Sequence, residues 1–63
     1  MAYRVDSETI IENKSKVTIY CDAKTDVTNN MKIGGRDLVP FSKAITKTLD
    51  VGIYGSDGTW TWN

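Results

Sequence analysis

The clearest alternation in the chain is Val17-Thr18-Ile19-Tyr20-Cys21-Asp22-Ala23, with Val17, Ile19, Cys21 and Ala23 on one side and Thr18, Tyr20 and Asp22 on the other. A period of two marks a half-buried strand. Upstream, Thr9-Ile10-Ile11-Glu12 is expected to pair with it across a turn at Asn13-Lys14-Ser15, setting Ile11 opposite Val17 and Glu12 opposite Lys16. Tyr3-Arg4-Val5 reads as a separate short first strand. Downstream, Met31-Lys32-Ile33 turns through Gly34-Gly35 into Arg36-Asp37-Leu38-Val39, which places Lys32 opposite Asp37.

The last twelve residues before Asn63 suggest a hairpin, because Asp57-Gly58 is a favoured two-residue turn. In that register Ile53 faces Trp62 and Gly55 faces Trp60. One face then carries Val51, Ile53, Trp60 and Trp62, and the other carries Tyr54, Ser56, Thr59 and Thr61. Between Phe41 and Val51 both periods fit. A strand aligns Ile45, Lys47, Leu49, Val51 and Ile53, whereas a helix aligns Phe41, Ala44, Ile45, Thr48 and Leu49 behind Pro40. The β-branched run Ile45-Thr46-Lys47-Thr48 favours the strand, which would run on regularly to Ile53.

Composition agrees with strands. Val, Ile and Thr make up 19 of the 63 residues, against two Leu and no Gln. The expectation is one all-β domain over 1–63, an antiparallel sandwich or partly open barrel of five or six short strands, with an α+β fold carrying a helix at 41–50 as the alternative. A domain this small buries a modest core, which makes a partner or a second copy of the chain more useful to it.

Charge and chemistry narrow the function classes. Eight basic and eight acidic side chains cancel, and the densest basic cluster is Lys14-Ser15-Lys16, so duplex nucleic acid is not an expected partner. With no His and a single Cys21, Cys/His zinc sites, catalytic dyads and internal disulfides are excluded. Cys21 shares a side with Val17 and Ile19 and is expected to be a buried apolar residue. Gly34-Gly35-Arg36 lacks the phosphate-loop pattern, and no acidic spacing fits a calcium loop. No catalytic residue, metal ligand or cofactor is expected, and no enzyme.

The start, Met1-Ala2-Tyr3-Arg4-Val5-Asp6, is too polar for a signal peptide, and no apolar run suits a membrane span. A cytoplasmic or virion location is expected. The candidate interface or ligand platform is aromatic and guanidinium-bearing: Trp60, Trp62, Tyr54, Tyr20, Arg36 and Arg4. These residues point to a non-enzymatic assembly module bound to another protein or to its own copies. By class-level analogy, small β modules of this kind serve as accessory parts of phages and other virions, in capsid decoration or tails. The alternative is a small β domain binding carbohydrate or single-stranded nucleic acid through surface aromatics. The position of Trp60 and Trp62 separates the two: burial favours assembly, and an exposed coplanar platform favours a ligand.

Overall fold

The computed structural model describes residues 3–63, and within them the fold is all-β, with strands β1 (Tyr3–Ile11), β2 (Lys14–Cys21), β3 (Lys32–Ile33), β4 (Arg36–Asp37), β5 (Lys43–Thr46), β6 (Val51–Tyr54) and β7 (Trp60–Trp62). Five of them form one sheet in the order β1-β2-β5-β6-β7, and β3 with β4 forms a separate hairpin. The large sheet is mixed, because β2 and β5 run parallel while every other neighbouring pair is antiparallel. A parallel pair needs a long crossover. Residues 22–42 supply it, and they lie over one face of the sheet as a single 3-10 turn at Lys24–Asp26 followed by the β3–β4 hairpin.

The core lies between sheet and crossover. Val17, Ile19, Cys21, Ala44 and Tyr54 from the sheet meet Val27 and Leu38 from the crossover, with Tyr3, Val5, Met31, Ile33, Trp60 and Trp62 around them. The alternation expected for Val17, Ile19 and Cys21 is therefore present, and Cys21 is buried, but Ala23 is exposed, because β2 ends at Cys21 and the chain leaves the sheet there. The Gly34-Gly35 turn is also present as expected. Both glycines have positive φ, and Lys32 pairs with Asp37 both in register and as an ion pair.

Four local expectations are corrected. Tyr3–Val5 is not a separate strand, since β1 runs on to Ile11 across a bulge at Asp6 that lets one strand change register without ending. The β1–β2 turn is Glu12-Asn13, both at positive φ, so Ile11 faces Lys14 rather than Val17. That is the backbone sense required by a tight two-residue hairpin, and asparagine tolerates it well. The stretch after Phe41 is neither a helix nor one long strand to Ile53: β5 ends at Thr46 and the chain reverses through 47–49, because Leu49 adopts φ 66 and its N–H donates to the Thr46 carbonyl at 2.9 Å.

The fourth correction concerns the final hairpin. Ile53 faces Thr61, Gly52 faces Trp62 and Tyr54 faces Trp60, one residue away from the expected register. Its loop has three residues, Ser56-Asp57-Gly58. The Gly58 N–H donates to the Gly55 carbonyl at 3.0 Å and Gly58 takes φ 83, the pattern of a β-turn followed by a left-handed bulge residue. A one-residue change reverses every side chain, so both tryptophans lie on the Gly52/Tyr54 side, against the core. The ring that covers a glycine is Trp62 over Gly52, where a Cβ would meet three ring atoms at 2.9 Å.

Candidate functional site: the open face of the sheet

The crossover covers only one face of the sheet. The register sets out the other face as rows: Arg4, Tyr20, Ile45 and Val51 in one, then Ser7, Thr18, Lys43, Ile53 and Thr61, then Thr9 beside Lys16. The aliphatic members are half-buried by their neighbours, and Tyr20 is exposed. Arg4 lies over the Tyr20 ring, 5.6 Å from its centroid, a contact that orients both side chains.

Strand alternation also sorts charge. Arg4, Lys16 and Lys43 all fall on the open face, and neither lysine makes an ion pair among the described residues. Asp22, at the end of the face, is paired with Lys47 at 3.2 Å. Most other carboxylates lie elsewhere. Glu8 turns to the covered side, Asp37 pairs with Lys32, Asp57 sits in the β6–β7 loop and Asp50 just after the β5–β6 loop. A neutral chain thus gathers three cations on one sheet face, with Asp6 in the β1 bulge next to Ser7 as a carboxylate at its edge, and its linear sequence hides this because the lysines come from different strands.

Two shallow depressions mark this face. One of about 480 Å³, at the end of the face, is bordered by Arg4, Tyr20, Asp22, Ile45 and Lys47 and reaches round to Tyr3, Cys21 and Thr46. The other, about 390 Å³, is lined by Ser7, Thr9 and Thr18, by Lys16 and Lys43, and by Val17 and Phe41. Phe41 is 72% exposed. It follows Pro40 in a turn closed by the Ser42 N–H donating to the Val39 carbonyl at 3.2 Å, and it has φ 74. Proline at the second position and positive φ at the third describe a type II turn, which calls for glycine where Phe41 stands. Phe41 and Ser42 together oppose Tyr54: the Phe41 N–H donates to the Tyr54 carbonyl and the Tyr54 N–H to the Ser42 carbonyl, both at 2.8 Å. Buried Ser42 locks the bulge in place, accepting from the Val17 N–H at 3.1 Å and donating to the Val39 carbonyl at 2.8 Å.

The residues singled out from sequence divide between the two faces. Tyr20 and Arg4 are together on the open face. Trp60, Trp62 and Tyr54 are on the covered one, where Trp60 meets Tyr54 edge-on at 5.1 Å and stacks with Trp62 at 6.3 Å. The Trp60 indole donates to the Thr28 carbonyl at 2.9 Å and the ammonium of Lys24 lies 5.7 Å from the Trp62 ring centroid, so this pair forms a wall of the core. Arg36 is a strut between layers, donating to the Ser15 hydroxyl at 3.0 Å and to Glu8 at 2.9 Å. Its guanidinium and, foremost, the Ser15 hydroxyl hold the Glu8 carboxyl below its usual range. Phe41 was missed from sequence because an aromatic after proline carries no turn signal of its own.

Burial, helped by the nearby carboxylates of Asp26 and Asp22, pushes the Cys21 thiol above its ordinary value, the wrong direction for a nucleophile. Among the described residues no three His, Cys, Asp or Glu side chains are grouped to hold a metal ion, and no helix is long and apolar enough to cross a membrane. Comparison with known proteins finds no family model, no curated protein and no solved structure that matches the chain.

Proposed function

We propose that this chain is a non-enzymatic assembly module that docks through the open face of its sheet onto another protein. The observation that carries the reading is the pair Phe41 and Leu49, which bracket the central strand β5, both at positive φ and 72% and 80% exposed. A bulky side chain in left-handed backbone costs about 1–2 kcal/mol, and an exposed one recovers nothing by burial. Side chains kept at such positions serve contacts outside the folded monomer. Trp60 and Trp62 pack half-buried against the core on the covered side, which favours the open face as the surface for that contact.

The test is the native mass of the chain isolated under mild conditions from the cells that make it. A species heavier than the 7.0 kDa monomer is expected, reduced to the monomer by Phe41→Gly with Leu49→Gly. A wild-type chain that runs as a 7.0 kDa monomer removes the reading.

A further inference from the structure

We infer that the partner presents an acidic segment interleaved with apolar side chains, seated in the groove between Lys16, Lys43 and Phe41. The inference rests on the assembly reading and names its partner's chemistry. The groove offers two unpaired ammoniums and the hydroxyls of Ser7, Thr9 and Thr18, and its rim is the Phe41 ring. Lysines and hydroxyls in one concavity, with no carboxylate among its lining residues, suit an anion with several oxygens.

The rest of the face decides which anion. Beside the groove runs an aliphatic strip, Ile45, Val51 and Ile53, tied to it by the Lys43–Ile53 and Ile45–Val51 pairings. A single-stranded nucleic acid would satisfy the lysines, but it binds by stacking successive bases on aromatic rings. Here only Tyr20 and Phe41 supply rings, and Tyr20 already carries Arg4. An acidic, apolar peptide surface satisfies both halves: carboxylates on Lys16 and Lys43, apolar side chains on the strip, and Phe41 as the anchor. A second copy placed face to face is disfavoured, because a two-fold contact would set Arg4, Lys16 and Lys43 against the same cations.

The experiment is a titration of the full chain with three labelled probes: a short peptide alternating glutamate and valine, the same peptide with glutamine for glutamate, and an oligothymidylate of equal charge. Amide shifts locate each binding surface. The glutamate peptide is expected to bind most tightly, shifting Lys16, Thr18 and Lys43. The glutamine peptide should bind about tenfold more weakly, as should the glutamate peptide to K16E/K43E or to F41A, in chains whose urea midpoints stay close to wild type. Binding that those substitutions leave unchanged, shifts confined to another surface, or no binding of the glutamate peptide overturns the inference. Tighter binding of oligothymidylate overturns it in favour of nucleic acid. If the native assembly loses mass with the Phe41 and Leu49 substitutions but not with K16E/K43E, the assembly reading stands and the acidic partner falls.

Discussion

Two hairpins of this domain share one backbone design and differ at one corner. In each, a three-residue loop is closed by an N–H-to-carbonyl bond from its third residue: Leu49 to Thr46 at 2.9 Å in the β5–β6 loop, and Gly58 to Gly55 at 3.0 Å in the β6–β7 loop. The flanking pairs match as well, with Thr46 N–H to Asp50 and Gly55 N–H to Thr59 at 3.0 and 2.8 Å. The third residue is left-handed in both, with φ 66 and 83. One loop fills that corner with glycine, which takes the conformation freely, and the other with leucine. The glycine corner is buried and its carbonyl accepts from the Asn30 N–H at 2.7 Å, whereas the leucine corner stands in solvent. Glycine is what the turn needs, and leucine is there despite the turn. The comparison separates residues that make the fold from residues that the fold displays.

The largest effect should come from the stem of the glycine hairpin. Gly52→Val would drive a branched side chain into the Trp62 ring, and the loss is expected to be about 3 kcal/mol, read as a lower urea midpoint at constant slope. The same measurement on Ile53→Val, which lies on the open face of the same strand, should show less than about 1 kcal/mol. Equal losses would mean that the two faces are not energetically distinct.

Next are the two corners themselves. Gly58→Leu recreates the leucine corner in the buried loop, and its Cβ would fall on the Asn30 side-chain oxygen, so a loss of about 2 kcal/mol is expected. Leu49→Gly does the reverse. It releases left-handed strain, part of which is offset by the freer unfolded chain, and should raise stability by about 0.5–1 kcal/mol. A comparable loss on Leu49→Gly would show that leucine supports the fold after all.

The same corners explain what was legible in the sequence. Gly34-Gly35 is a two-residue turn with both residues free to take positive φ, and its register was readable down to the Lys32–Asp37 pair. The inner positions Val17, Ile19 and Cys21 were readable because both the period and the residue types agree. Gly58 announced a turn but not its length, since a glycine serves a two-residue or a three-residue loop, and one residue of difference set Trp60 and Trp62 beside Gly52 and Tyr54 instead of Val51 and Ile53, which fall on the open face. Leu49 and Phe41 announced nothing, so the β5–β6 turn and the rim of the groove were invisible. The cationic face was invisible for another reason: Arg4, Lys16 and Lys43 meet only through a parallel β2–β5 pairing across a long crossover, which no local pattern encodes.

The smallest effect sharpens the comparison through pH. In the glycine loop the Asp57 carboxylate accepts from the Thr59 hydroxyl at 2.7 Å and from the Thr59 N–H at 3.1 Å, and these bonds, the hydroxyl first, hold its carboxyl below the usual 3.8. A carboxyl lowered by folding stabilises the native state above its unfolded value, and that contribution fades as pH falls through the lowered one. The β6–β7 loop should therefore loosen as pH drops below about 3.8, seen as faster amide exchange at Gly58 and Thr59. Glu8 acts in parallel from a higher starting point, the usual 4.5, since its bonds to Ser15 and Arg36 tie β1 to β2 and to the crossover. Asp57→Asn should remove the acid response of the loop while leaving that of the β1–β4 strut, and Glu8→Gln should do the opposite. Acid loosening at Gly58 that persists in Asp57→Asn would show that a carboxyl other than Asp57 carries the response of this loop to acid.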